Sequence, residues 1–208
     1  MDVENEMAFV HQACKGDREA YWRLVQPHLR AVLSIARTIL MNLVEAEEVA
    51  QEAVLRARSN IQEFRGQAKF STWLIQITIN EARNRLRQDG RQGLSQSFDG
   101  RQTDNENEYV PKDFTDWREI PPAALGRKGV RDALQQALAS LSQNCREVFA
   151  LRDIADLSIE ETAQVLGLAV RIVKTRLLTA RLQMRDALAP GFNSSWLKGK
   201  GEYQKAGT

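Results

Sequence analysis

Between Gly90 and Gly129 a stretch of roughly 40 residues shows no sustained apolar periodicity, and this gap constrains what the rest of the chain can fold into. It carries Pro111, Pro121, Pro122 and several glycines among polar side chains. A compact domain seldom holds a structureless loop longer than about 15 residues, so the segment reads as a linker between two folding units. With 208 residues, 43% of them hydrophobic, the chain has enough length and apolar content for two small cores. On both sides of the gap, apolar residues recur at helical spacings of three and four, and no alternating strand pattern occurs. The predicted fold class is all-α: two small helical domains joined by a flexible linker. The boundaries are 1–89, a linker over 90–129, a second domain over 130–190, and a disordered tail over 191–208, with Pro190-Gly191 stopping the last helix.

In the first domain, Gly16-Asp17 separates two helices, and Asp17 suits the N-cap of the second. Val25, Leu29, Val32, Ala36, Ile39 and Leu43 then form one apolar stripe. A third helix, from about Val44 to Asn60, buries Val49, Ala53 and Ala57. Its outer side carries Glu45, Glu48, Gln51, Glu52 and Arg56. After a loop at Phe64-Arg65-Gly66-Gln67, a fourth helix runs from near Ser71 to about Arg87.

The net charge of +2 hides an uneven distribution. From Gly167 to Arg185 the chain holds Arg171, Lys174, Arg176, Arg181 and Arg185 with no acid, whereas Asp99 to Glu119 has seven acids against Arg101, Lys112 and Arg118. A basic helical stretch beside an acidic spacer points to a nucleic-acid binder. Two histidines (His11 and His28), no phosphate-cradling glycine loop and no metal-ligand cluster leave no catalytic constellation; the expectation is no enzyme, no cofactor and no metal. No apolar run approaches the roughly 20 residues of a membrane span, and the acidic start Met1 to Glu6 is unlike a signal peptide, so the expected compartment is the cytoplasm. Cys14 and Cys145, far apart and without ligand spacing, read as buried free thiols.

Ser158 to Arg185 carries the sharpest local signal. Ser158-Ile159-Glu160-Glu161 is a capping box. Ala163, Gly167 and Val173 then suit two helices crossing at a tight turn: a small residue for close approach, glycine for the turn, a β-branched residue packing back. The second helix presents Arg171, Lys174, Thr175 and Arg176 near its start, the end of a recognition helix that enters a major groove; Arg181 and Arg185, deeper along it, suit phosphates. A helix-turn-helix alone does not distinguish a repressor from other DNA-binding proteins.

The first half discriminates. Gly16-Asp17-Arg18-Glu19-Ala20, Glu45-Ala46-Glu47-Glu48-Val49-Ala50-Gln51-Glu52, Phe64-Arg65-Gly66 and Phe70-Ser71-Thr72-Trp73-Leu74 occur in an order that resembles the promoter-melting domain of the extracytoplasmic-function (ECF) sigma factors. Leu141, Arg146-Glu147-Val148, Leu151-Arg152-Asp153, Leu157-Ser158 and Val173-Lys174-Thr175-Arg176-Leu177 resemble that family's C-terminal domain. The resemblance implies a bacterial initiation factor that binds RNA polymerase core and promoter DNA, with an anti-sigma protein as a further partner.

By resemblance, the helix carrying Glu45, Glu48, Gln51, Glu52 and Arg56 docks on a coiled coil of the polymerase's largest subunit, and the C-terminal domain meets another core subunit. The loop with Arg65 and Lys69, and the helix after it, engage the upstream melting element. Gln76, Asn80, Arg83 and Arg87 share one face of that helix, while Leu74, Ile77 and Leu86 hold the other. Phe70 and Trp73 are candidate stacking platforms for unpaired bases, with a core role favoured for Trp73. The helix-turn-helix residues Arg171, Lys174, Thr175, Arg176 and Arg181 match the reader of the element near thirty-five bases upstream. Two readings of the acidic linker stay open: a nucleic-acid mimic inside polymerase, or a soluble spacer. The competing function is a stand-alone helix-turn-helix regulator, which accounts for the second half alone.

Overall fold

The computed structural model describes residues 3–88, 90 and 127–192, with side-chain environments over 5–88, 90 and 131–188. Among the described residues every regular element is helical. They are α1 (Val3–Cys14), α2 (Arg18–Val25), α3 (Leu29–Leu40), α4 (Leu43–Ser59), α5 (Phe70–Gln88), α6 (Arg127–Ser140), α7 (Gln143–Phe149), α8 (Ile159–Leu166) and α9 (Val170–Phe192). None of these helices is long and apolar enough to cross a membrane. Most of the expected linker, 91–126, and the tail from 193 lie outside the described residues.

Local chemistry sets the breaks. Asp17 accepts from the amides of Glu19 and Ala20, as an N-cap should. The apolar stripe from Val25 to Leu43 is not one helix, contrary to expectation. Pro27, with no N–H to give, sits in a 3-10 turn over Gln26–His28. Met41 then adopts a left-handed φ of 56° that ends α3, and Asn42 caps α4. Leu43 therefore belongs to α4 and is 49% exposed.

α3, α4 and α5 pack together through Ile35, Ile39, Val49, Ala53, Leu74, Ile79 and Ala82, each at most 1% exposed. Full burial of such a side chain stabilises by about 1.5–3 kcal/mol for the larger ones. The alanines of α4 let the three axes approach closely. Tyr21 ties α2 to this group by donating its hydroxyl to the Val54 carbonyl at 2.5 Å, and burial pushes its pKa up to about 12. Phe64, Phe70 and Trp73 form an aromatic trio beneath the loop, with ring centroids 5.4–5.7 Å apart.

In the second half, Ser142 caps α7, which continues as a π-helical turn over Ala150–Ile154. Both hydrogen bonds of the Ser158–Glu161 capping box form, at 2.8 and 3.0 Å. Gly167 ends α8 at φ 67°, and Val173, fully buried, packs where the spacing places it. Two boundaries differ from the sequence reading. α6 begins at Arg127 rather than Val130, and α9 runs through Pro190-Gly191 to Phe192. A proline interrupts a helix by losing one N–H bond and crowding a carbonyl, and near the end of the helix few bonds follow it to be disturbed.

The two helical domains pack on each other. α3 packs on α7 and the π turn, and α5 packs on α8. Val148, Leu151, Leu157, Val165 and Leu166 join Ile35, Ile39, Ile75 and Ile79 in one core. Arg146 donates to the carbonyls of Leu141 at 2.8 Å and Ile39 at 3.4 Å, and its own burial lowers its pKa. A linker read from composition says nothing of such contacts, because they depend on faces brought together from distant positions.

Candidate nucleic-acid interface

The outer face of α5 forms much as its spacing predicts. Gln76, Asn80 and Arg87 are exposed, and Arg83 is half-buried. Leu74 and Leu86 are buried on the opposite side, and Ile77 is half-buried. Arg87 donates to Asn84. Arg83 carries a bidentate pair to Glu147 of α7, at 2.6 and 3.1 Å, which holds its pKa above the usual arginine value. Glu147 is only 1% exposed, so the closed arrangement commits this guanidinium to a buried carboxylate.

At the N-terminal end of that face lies the loop with Arg65, Gln67 and Lys69, all exposed. A cavity of about 160 Å³ sits between Arg65, Trp73 and Gln76 on one side and Gln164 and Val165 of α8 on the other. Lys69 reaches Glu161 of α8 at 3.7 Å, a surface pair of little energetic consequence. Phe70 is 0% exposed, so it is a core residue and cannot serve as a stacking platform. Trp73 is half-buried and borders the cavity, so its ring contributes to both core and surface.

On α9, Arg171, Lys174 and Thr175 are exposed and Arg176 is half-buried, all within the first two turns. The Thr175 hydroxyl donates to the Arg171 carbonyl at 3.1 Å. Arg181 differs from the sequence reading: it grips Asp153 through two bonds, at 2.8 and 3.3 Å. The Asp153 side chain is 2% exposed. This pair, made through Nε and Nη2 of Arg181, clamps α9 to the π turn.

On α4, Glu48, Gln51, Glu52 and Arg56 are exposed, whereas Glu45 is half-buried and accepts from the Asn42 side chain at 2.6 Å. Arg85 of α5 bridges Glu48 at 2.7 Å and Glu52 at 3.5 Å. Arg56 pairs at 2.5 Å with Glu81, which is 6% exposed. The α4 face is therefore a network rather than a row of solvated acids. Cys145 is a buried free thiol, and Cys14 is free but half-buried.

The sequence reading missed the carboxylate partners Glu147, Asp153 and Glu81. Arg83 and Glu147 are 64 residues apart, and Arg181 and Asp153 are 28 apart, so no local spacing signals either pair. The one available sign was an acid inside an otherwise apolar helical face, as at Glu147 beside Val148 and Leu151.

Comparison with known proteins fits this geometry. Residues 24–92 match Sigma-70 region 2, and residues 131–184 match Sigma-70 region 4. The chain is 30% identical to the RNA polymerase sigma-H factor of Pseudomonas aeruginosa over 188 residues, covering 90% of this chain and 95% of that protein. It is 30% identical to the ECF sigma factor SigW of Bacillus subtilis, covering 86% of this chain and 94% of the relative. Among solved structures it is similar to CnrH in complex with the cytosolic domain of CnrY, with a TM-score of 0.62 at 24% identity, covering 91% of this chain and 99% of that one. It is also similar to the sigma factor RpoE bound to the anti-sigma factor NepR from Bartonella quintana, with a TM-score of 0.57 at 22% identity, covering 79% and 93%. A region 2 followed by a region 4 defines an RNA polymerase sigma factor. Within that class, the chain belongs to the ECF family. Its role is in transcription initiation, with RNA polymerase and promoter DNA as partners.

Proposed function

We propose a division of labour among the helices, acting in the cytoplasm. The α4 face around Glu48, Gln51, Glu52 and Arg56, with Glu45 at its edge, docks on core polymerase. The loop carrying Arg65 and Lys69, with Gln76, Asn80, Arg83 and Arg87 of α5, captures the upstream melting element. Arg171, Lys174, Thr175 and Arg176 read the farther element, and Arg181 supports α9 through Asp153 rather than meeting DNA first. Domain boundaries near 89 and 130 follow from this division, with 90–129 as the linker. An anti-sigma protein is a further partner, by likeness to the sigma factor RpoE, which was solved in complex with the anti-sigma factor NepR.

The observation that supports this reading best is the continuity of one surface: the loop, its adjoining cavity and the polar face of α5 lie side by side. Bases leaving a duplex must be held by stacking and charge, and this surface offers Trp73, Arg65 and Lys69 together. Arg83 can reach DNA only when its pair with Glu147 opens.

The test is run-off transcription of fragmented genomic DNA from the source bacterium by core polymerase, with and without the chain. New start sites that depend on the chain are expected. Arg65→Ala with Lys69→Ala should then lower open-complex formation at those sites while core binding is retained. Tight sequence-specific binding by the free chain at physiological salt, with no start sites gained, would favour a stand-alone regulator instead.

A further inference from the structure

α1 lies outside the stretch that matches region 2, which begins at residue 24, yet it meets the candidate melting loop at two points, one within the loop and one where the loop runs into α5. The first is polar. Phe70 opens α5, so its amide is one of the donors left without a helical partner, and Glu6 supplies the acceptor: its Oε1 lies 2.9 Å from the Phe70 nitrogen. A carboxylate there also faces the positive end of the helix dipole. The second contact is steric. Gly66 sits at φ 69°, a conformation that side chains resist, and a Cβ there would lie 3.0 Å from the Met7 sulfur. Between these points Gln67 and Lys69 are exposed and Ala68 is half-buried, while Phe64 and Phe70 anchor the loop's ends in the core, 8% and 0% exposed.

We infer that Glu6 and Met7 of α1 are positioning residues for melting, fixing the shape of the Phe64–Lys69 loop before any base arrives. This rests on the reading of that loop as the element that captures unpaired bases. The physical reason is preorganisation. A loop with one end capped and one internal point braced loses less freedom when it closes on a base than one anchored only at its ends. Neither residue need touch DNA, polymerase or the helix-turn-helix.

The experiment uses full-length chain with core polymerase and a promoter recovered as above, carrying 2-aminopurine in its melting element. Fluorescence on stacking loss reports opening, and competition against labelled wild-type chain reports core affinity. Glu6→Ala is expected to reduce the opening equilibrium about five-fold, the size of one lost capping bond, with core affinity within two-fold of wild type. Glu6→Gln keeps an acceptor oxygen and should restore most of the loss. Met7→Ala should act in the same direction, with longer-lived partly opened complexes. A merely structural role would reduce the active fraction and the melting temperature but leave opening per active complex unchanged, and that result overturns the inference. If Arg65→Ala and Lys69→Ala impair opening while Glu6→Ala does not, the inference alone fails. If neither loop substitution affects opening, the loop reading fails and takes the inference with it.

Discussion

Replacing Arg181 with methionine distinguishes a cation that waits for phosphate from one built into the fold. The substitution keeps an unbranched apolar stem along α9 and removes only the guanidinium. Asp153, with its side chain 2% exposed, then loses both charge-assisted bonds, at 2.8 and 3.3 Å. Leaving one partner of a fully buried pair unmatched costs about 3–5 kcal/mol. The Arg181 side chain is 32% exposed, however, so water reaches the site once the guanidinium is gone. The expected loss is therefore about 2–3 kcal/mol, below the fully buried range. For a chain of this size, that corresponds to a fall of roughly 5–10 °C in Tm. Urea unfolding at pH 7, followed by far-UV circular dichroism, gives the value directly, and an unchanged slope shows that the denatured state is comparable. Adding Asp153→Asn should recover more than half, because a neutral amide is easier to bury than an unpaired carboxylate. A single Arg181→Met variant within about 0.5 kcal/mol of wild type would refute the clamp and return Arg181 to the surface cations.

Phe70→Ala should cost about 3–5 kcal/mol in the same unfolding assay, since the ring is wholly buried; a stable variant with altered DNA binding would contradict its core placement. Ser158→Ala should cost about 1 kcal/mol through the lost cap. The Glu161 carboxyl is held below its usual range, first by the Ser158 amide, so the capping contribution should persist at neutral pH and disappear as pH falls through that lowered value. His28 has its pKa lowered, chiefly by burial and partly offset by Glu6. The unfolded chain therefore takes up a proton first, and stability should fall as pH drops below about 6.5; a His28→Gln variant should show a shallower decline in Tm between pH 7.5 and 5.5. Reversing Glu48 and Glu52 together should weaken core binding in a pull-down and break the ion pairs of both with Arg85, with folding changed by about 1 kcal/mol or less because both glutamates are exposed.

Features encoded within one or two helical turns were legible in the sequence. The Asp17 cap, the Ser158–Glu161 box, the Gly167 turn and the buried Val49–Ala53–Ala57 row each depend on neighbours three or four residues away, and each stands where its spacing placed it. The continuous stripe through Pro27 and Met41 misled because periodicity counts apolar residues without registering a lost amide or a left-handed turn. The candidate site was half legible. The face of Gln76, Asn80 and Arg87 follows from helical geometry alone. What Arg83, Arg56 and Arg181 actually hold depends on carboxylates brought from elsewhere in the fold; an acid on an apolar face, as at Glu147, signals that it needs a partner but not which one. The packing of α5 on α8 was illegible for the same reason: two amphipathic helices advertise that each needs a partner, but not which one.

The bond between Arg83 and Glu147 makes the two halves of the chain rivals for one guanidinium. A ligand that needs Arg83 on the outside of α5 can bind only the fraction of molecules in which that pair is broken, and its apparent dissociation constant rises by the reciprocal of that fraction. Where the halves themselves part, the apolar contacts of Val148, Leu151 and Val165 with α3 and α5 are lost as well, so the parted fraction is set by the whole shared core rather than by one ion pair. Cavity-forming substitutions at Val148 or Val165 would then have opposite effects on two observables: a lower melting temperature for the free chain, and a lower concentration threshold for any partner that holds the halves apart.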